Sequence, residues 1–457
     1  MVQPQGSKFH VAMFPWLAMG HITPFLHLSN ELAQRGHKIS FLLPKKAKLQ
    51  LQDNNLHPDL ITLHGLAVPH VEGLPHGTET ASEIPIFLNG LLATAMDLMR
   101  DQVEESLRDL KPDMVFYDLA HWIPELASHI GFKTVCYKVV SAATVAFAIV
   151  PARNVPKDRP LTNAELIEPP QGYPSSTVVL RQHEARVMKI IALEFGSGIS
   201  FYERITASTK QCDVIAIRTC QEVEGPMFDY IGDQWGKKVL LTGPVLPESP
   251  KVPLEDRWAK WLDGFAHGSV IFCALGSQWV LEKNQFQELV LGIELTGSPF
   301  LVAVKPPSGA ATIEEALPEG FEERNRGRGV VYGGWVQQTL MLSHPAVGCF
   351  VNHCGFGSMW ESLMSNSQIV LVPHLGDQIL NTRLLAEELK VAVEVERDEE
   401  GWFSKESLSK GIKSVMDKDS EVGRLLKKNH AKWKEVLARP GYMDDSMDKF
   451  IDNLHEL

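Results

Sequence analysis

Cysteine is scarce: six in 457 residues cannot staple a disulfide scaffold. Cys136, Cys212, Cys220, Cys273, Cys349 and Cys354 show no CxxC spacing. Several fall in apolar, strand-like runs, where a free thiol packs as a small hydrophobe. Reduced thiols in the cytosol are therefore expected. Long apolar runs are missing too. The best, residues 142–150, is under half of the ~20 residues needed to span a bilayer. Residues 11–19 are apolar, but Pro15 breaks them, Gly20-His21 follows, and no small-residue cleavage pattern is present. The expectation is a soluble cytoplasmic chain without a membrane span. A basic excess is absent as well, with 44 Lys and Arg against 56 Asp and Glu and a net charge of −12. The densest basic cluster is Lys45, Lys46 and Lys48, so nucleic acid is not an expected partner. The chain also lacks GxGxxG, GxxxxGK[ST] and GxSxG. Their absence argues against a dinucleotide-dependent dehydrogenase, a P-loop enzyme and a serine hydrolase.

What is present is ordinary globular composition, 44% hydrophobic and 22% charged. At roughly 100–200 residues per domain, the length suggests two domains. Strand and helix patterns alternate. Residues 9–14 read as a buried strand, and Thr23-Pro24 reads as a helix start, with Gly36 as its stop. A second strand is expected at 39–43. The rhythm recurs with strands at 114–117 and 134–137 around a helix at 123–130. Residues 151–190 look like an extended excursion. The proline-rich stretch 240–253 is the best linker candidate. Beyond it, strands at 270–274, 300–304, 330–331, 347–351, 369–372 and 392–395 alternate with helices. That alternation predicts α/β domains with parallel sheets covered on both faces.

Ligands of open α/β sheets bind beyond the carboxyl ends of the strands. His21 lies at the first strand-to-helix handover and Asp118 at the end of the 114–117 strand. A carboxylate bonded to one imidazole nitrogen would make His21 a usable general base. An Asp at that position would equally cap the following helix. In the second half, Asn352-His-Cys-Gly-Phe-Gly-Ser-Met-Trp-Glu361 runs from a strand end into a helix expected near Ser358. Gly355 and Gly357 permit close backbone approach to an anion at the helix N-terminus. His353 and Ser358 add side-chain donors, and Glu361 suits a ribose diol. Asp377 and Gln378 offer acceptors and amide donors to sugar hydroxyls. Trp335 suits stacking on a flat base, or plain core packing. The spacings of His344, His353, His374 and Cys354 match no common zinc pattern.

The segment 335–378 opens Trp-Val-Gln-Gln, closes Asp-Gln, and holds His-Cys-Gly and Ser-x-x-Glu between. It resembles the signature box of plant family 1 UDP-dependent glycosyltransferases, the secondary-product glycosyltransferases. Pro-x-x-x-x-Gly-His-Ile-x-Pro near the start and Leu-Gly-Ser at 275–277 extend the resemblance over essentially the whole chain. It implies an α/β GT-B fold, two Rossmann-like domains with parallel sheets facing a cleft. Residues 1–244 would form the acceptor domain, 245–256 the linker, 257–440 the UDP-sugar domain, and 441–457 a helix returning to the first domain. By the same resemblance, His21 is the base and Asp118 its partner. Trp335 stacks on uracil, Val336 bonds it through its backbone, and Gln338 and Glu361 hold ribose. Ser277, His353 and Ser358 hold the diphosphate, with Gly355 and Gly357 in that loop, and Asp377 and Gln378 hold the sugar. His374 and Leu375 would border the acceptor.

Two departures narrow the expectation. The usual Trp-Asn of the box is Phe356-Gly357 here, so an Asn contact to phosphate is lost. Gln337 stands where Pro is common. Both are similar to the branch that extends sugars on flavonoid and other phenolic glycosides. The expected reaction is inverting transfer from UDP-glucose, UDP-rhamnose or UDP-xylose to a sugar hydroxyl of such a glycoside. The alternative is glucosylation of a phenolic aglycone. A non-catalytic UDP-sugar sensor and a UDP-sugar epimerase are the readings from other classes. No resident cofactor, no metal requirement and a monomer are expected.

Overall fold

A computed structural model describes residues 7–246, 252–276 and 279–457. Part of the expected linker, 247–251, and Ser277 lie outside the described residues. The chain divides into two compact units: Met1–Pro174, Met188–Pro247 and Gly441–Leu457 form one, and Ser175–Val187 with Glu248–Pro440 the other.

Among the described residues, the first unit is built on a seven-stranded sheet. Its strands are β1 (His10–Phe14), β2 (Lys38–Pro44), β3 (Ile61–Leu66), β4 (Met114–Tyr117), β5 (Lys133–Lys138), β6 (Val214–Ile217) and β7 (Val239–Leu241), in the order β3-β2-β1-β4-β5-β6-β7. Every pairing is parallel. Continuous runs such as Val11 to Phe14 are fully buried because helices cover both faces. β1 and β4 are neighbours, with Phe14 opposite Tyr117, so the residues that follow them emerge side by side. The helix Tyr442–His455 places Met447, Phe450, Ile451 and Leu454, one helical stripe, in the same core as Val11, Phe25 and Phe116. Arg35 pins it by donating to Asp448 (2.7 Å) and Asp444 (2.8 Å).

The first helix runs from Met19 to Gln34, not from Thr23-Pro24. The N–H groups of His21 and Ile22 already bond the Ala18 carbonyl, at 2.8 and 2.9 Å. Pro24 therefore sits inside the helix, where its missing N–H cannot reach the Gly20 carbonyl four residues back. His21 is thus in the first turn of the helix, not in the loop before it.

The second unit holds, among the described residues, a six-stranded parallel sheet in the order β10-β9-β8-β11-β12-β13. The strands are β8 (Val270–Ala274), β9 (Phe300–Ala303), β10 (Gly329–Tyr332), β11 (Val347–Asn352), β12 (Gln368–Leu371) and β13 (Ala392–Glu394). Apolar clusters around Phe286 and Phe300 on one face and Phe272 and Phe350 on the other form its core. The expected first domain, residues 1–244, is interrupted, because Ser175–Val187 joins this second unit. Buried Arg383 bonds both Glu184 of that segment and Glu394 of β13. Such a triad adds little net stability, because desolvation offsets most of its Coulomb gain.

Candidate active site

In the first unit, the β1 and β4 carboxyl ends bring Asp118 and His21 together. The Nδ1 of His21 lies 2.6 Å from Oδ2 of Asp118. Asp118 is only 2% exposed, and its Oδ1 accepts the backbone N–H groups of Trp16 and Leu119, both at 2.7 Å. An ionised carboxylate is acceptor-only, so the shared proton sits on Nδ1 and the Nε2 lone pair is left available. The His21 side chain keeps 24% of its surface exposed, so that lone pair is accessible. Asp118 thus orients the imidazole with one oxygen and holds the Trp16 and Leu119 N–H groups with the other; it does not cap the following helix, Ile123–Ile130, whose N-cap is Trp122 without a side-chain bond. Sequence reasoning passed over Trp16, whose ring lies 5.3 Å from that of Phe195. Its position directly after β1 was the available signal. Phe87 and Leu193 are exposed in the same unit.

In the second unit, β11 ends at Asn352 and the helix Phe356–Met364 begins four residues on, two before the expected start near Ser358. Its N-cap, Gly355, has no side chain to bond the first-turn N–H groups, so these remain donors for a ligand. Cys354 holds φ at 60°, uncommon outside glycine. Asn352 fixes that turn by accepting the Cys354 N–H (2.8 Å), and Asn381 donates to the Cys354 carbonyl (3.0 Å). The two asparagines, missed from sequence, shape the loop. The His353 ring packs so closely that a Cβ added at Gly276 or Gly355 would come within 2.7 or 2.6 Å of it. Burial, with His374 nearby, pulls His353 down to about 4. It is therefore neutral at pH 7, and its Nδ1 has no partner among the described residues. Around Gly357 an added Cβ would meet nothing within 4 Å.

Gln338 donates from Nε2 to Glu361 Oε2 (2.6 Å) and Ser358 Oγ (3.1 Å), which joins three of the expected nucleotide residues. Trp335 is 77% exposed and so not core, whereas the Val336 side chain is buried. Gln337 ties its own loop down, accepting from the Glu255 N–H (2.8 Å) and donating to the Pro253 carbonyl (3.1 Å). Asp377 and Gln378 open the helix Gly376–Arg383. The Oε1 of Gln378 accepts the N–H groups of His374 and Leu375 at 2.9 and 3.0 Å, so chiefly its amide N–H groups are left for a ligand. His374 stacks on Trp279 with 4.4 Å between centroids. All six cysteines are free and buried. Among the described residues no His, Cys, Asp and Glu cluster could hold a metal ion, and no helix is long and apolar enough to cross a membrane.

Two parallel-sheet α/β units with polar groups gathered at the carboxyl ends of their strands define the GT-B class. The solved structure of UGT73P12 from Glycyrrhiza uralensis, complexed with glycyrrhetinic acid 3-O-monoglucuronide, matches with a TM-score of 0.81 at 19% identity. The match covers 98% of this chain and 96% of that one. A family model for UDP-glucoronosyl and UDP-glucosyl transferase matches residues 318–432. UDP-glycosyltransferase 79B3 of Arabidopsis thaliana is 60% identical over 99% of this chain and 98% of its own length. The Arabidopsis anthocyanidin 3-O-glucoside 2'''-O-xylosyltransferase is 58% identical over the same shares. The chain belongs to the plant family 1 UDP-dependent glycosyltransferases. It is an enzyme that uses a UDP-sugar as donor.

Proposed function

We propose that the chain transfers a sugar, with inversion, from its UDP donor to a sugar hydroxyl of a phenolic glycoside. The observation that carries this is the His21–Asp118 pair at 2.6 Å with Nε2 left available. In this reading Nε2 takes the proton of the acceptor hydroxyl as its oxygen bonds to the anomeric carbon. The bond from that carbon to the diphosphate oxygen breaks, and UDP leaves from the opposite face. An alkyl hydroxyl is a weaker acid than a phenol, so general-base assistance matters more for it. The first-turn N–H groups at Gly357 and Ser358, with His353 and Ser277, receive the charge of the leaving diphosphate. No metal is given a part in the step. Trp335 and the Val336 backbone hold uracil, Gln338 and Glu361 the ribose, and Asp377 and Gln378 the sugar. His374 and Leu375 border the acceptor.

The glycoside preference is supported by the Gly-Phe-Gly-Ser form of the box. It is also supported by the 58% identical relative, whose name gives a glucoside as its acceptor. The test is a product matrix read by mass spectrometry. A flavonol and its 3-O-glucoside are each offered UDP-glucose, UDP-rhamnose and UDP-xylose. A disaccharide product from the glucoside is expected. Products from the free flavonol alone would overturn the acceptor reading, and donor conversion without any acceptor would point to an epimerase.

A further inference from the structure

A cavity of about 130 Å3 in the second unit opens beside the loop that precedes Asp377 and Gln378. It is lined by His183 and Arg186 from the Ser175–Val187 segment, and by Pro373, His374, Arg397 and Gly401. Arg397 is held from two sides: it donates to the carbonyls of Gly401 (2.8 Å) and Pro373 (2.6 Å) and lies over the Phe403 ring, 5.4 Å from its centroid. Its Nε–H is buried and has no hydrogen-bond partner among the described residues, and Nε2 of His183, also without a hydrogen bond, has Glu184 Oε1 at 3.7 Å. Arg186 is exposed, and its guanidinium lies against Gly401, where an added Cβ would be 2.3 Å from Nη2. Glu184 also lines the cavity, but Arg383 already engages it.

A buried guanidinium N–H without an acceptor is costly, and a cavity bordered by two guanidiniums favours an anion over water there. The charged lining groups are Arg186, Arg397 and Glu184, a net of +1. That balance matches a monoanion and not a dianion. Burial, partly offset by Glu394 and Glu184, lowers Arg397 to about 10, so it stays charged at pH 7.

We propose that this cavity is a carboxylate subsite, in which Arg186 and Arg397 receive the carboxylate of a substrate bound at the neighbouring sugar loop. The inference rests on the reading of Asp377 and Gln378 as sugar-binding. The carboxylate has two sources: a hexuronic acid on the donor, or an acidic acyl group on the acceptor glycoside. Two selectivity ratios separate them. One is kcat/KM for UDP-glucuronate over UDP-glucose with one phenolic glucoside. The other is kcat/KM for a malonylated phenolic glucoside over its parent, with UDP-glucose. Removing a charged donor costs about tenfold or more. Arg186→Gln should therefore lower one of the two ratios about tenfold, and Arg186→Lys should restore part of it. The arm that moves names the source. Arg397→Gln should lower the same ratio; Arg186 is exposed, so its variants fold even where that one does not. The proposal is overturned if both ratios stay within twofold in Arg186→Gln, or if wild-type protein turns over neither acidic substrate. Failure of the neutral pair as well would instead refute the reading of the function itself.

Discussion

Asp118→Asn isolates the tautomer from the fold. Oδ1 of Asp118 accepts two backbone N–H groups, from Trp16 and Leu119, at 2.7 Å each. In the variant the amide oxygen must take that side, since an NH2 there would meet two donors head-on. The new NH2 then faces His21 Nδ1, now 2.6 Å from a carboxylate oxygen. That nitrogen becomes an acceptor and the ring proton moves to Nε2. The base is lost without the loss of a single backbone hydrogen bond. Asp118→Ala is a poorer probe. It strands both N–H groups, at about 1–3 kcal/mol each, and confuses catalysis with stability. With Asp118→Asn, kcat should fall roughly 10²–10⁴-fold, the usual worth of a general base. The melting temperature and the calorimetric Kd for UDP should stay near those of the wild type. Steady-state kinetics with a phenolic glucoside, beside a thermal melt, supplies the measurement. A kcat within threefold of wild type in a folded variant would refute the argument.

Three further outcomes follow from the geometry. Trp335→Ala removes an exposed ring, so stability should change by under ~0.5 kcal/mol, while UDP affinity by calorimetry falls about tenfold through lost base stacking. Unchanged affinity would remove Trp335 from the site. Gly357→Asn places its Cβ in open space in the first turn of a helix, so it should fold normally and bind UDP severalfold more tightly; weaker binding would show that the loop needs a bare backbone. Acid should destabilise the chain through His27 and His353, which burial lowers to about 3 and about 4. The unfolded rings take up protons near pH 6.5 and the folded ones do not, so stability is complete above that value. It should decline as pH falls from 6.5 toward 4, by up to about 1.4 kcal/mol per pH unit for each ring. Denaturant melts at pH 7 and pH 5 with equal midpoints would contradict this.

Much of the candidate site was legible because its signals are local. Residues 335–378 are contiguous, and each polar group stands at a fixed offset from a strand end or helix start. Gln338, Ser358 and Glu361 come together because one strand and its flanking helices bridge those offsets. The His21–Asp118 pair spans 97 residues; the rule that functional groups gather at strand carboxyl ends made both candidates, but left Asp118 equally a helix cap until the family resemblance paired them. The short strands β3, β6 and β7 escaped detection because three to six residues carry little periodicity of their own. The helix start was misplaced for a related reason. Thr23-Pro24 is a strong local signal, but the chain turns helical at Met19, with both the His21 and Ile22 N–H groups bonded to the Ala18 carbonyl.

By itself the sequence determined the class of fold, the family and the candidate base, partner and nucleotide residues. The fold class depends on hydrophobic period and turn chemistry, while the family and the residue roles rest on the resemblance of residues 335–378 and the shorter motifs to a known family. Tertiary structure alone decided that Trp335 is exposed and not core. It also decided that the Gln378 carbonyl is spent on its own helix cap, and that Ser175–Val187 belongs with the second unit. Among the contacts behind that last assignment are Ser175 and Thr177 bonding Glu388, and Glu184 meeting Arg383, 199 positions away. Nothing in either local segment announces a partner so distant, because burial and charge pairing are properties of the folded chain.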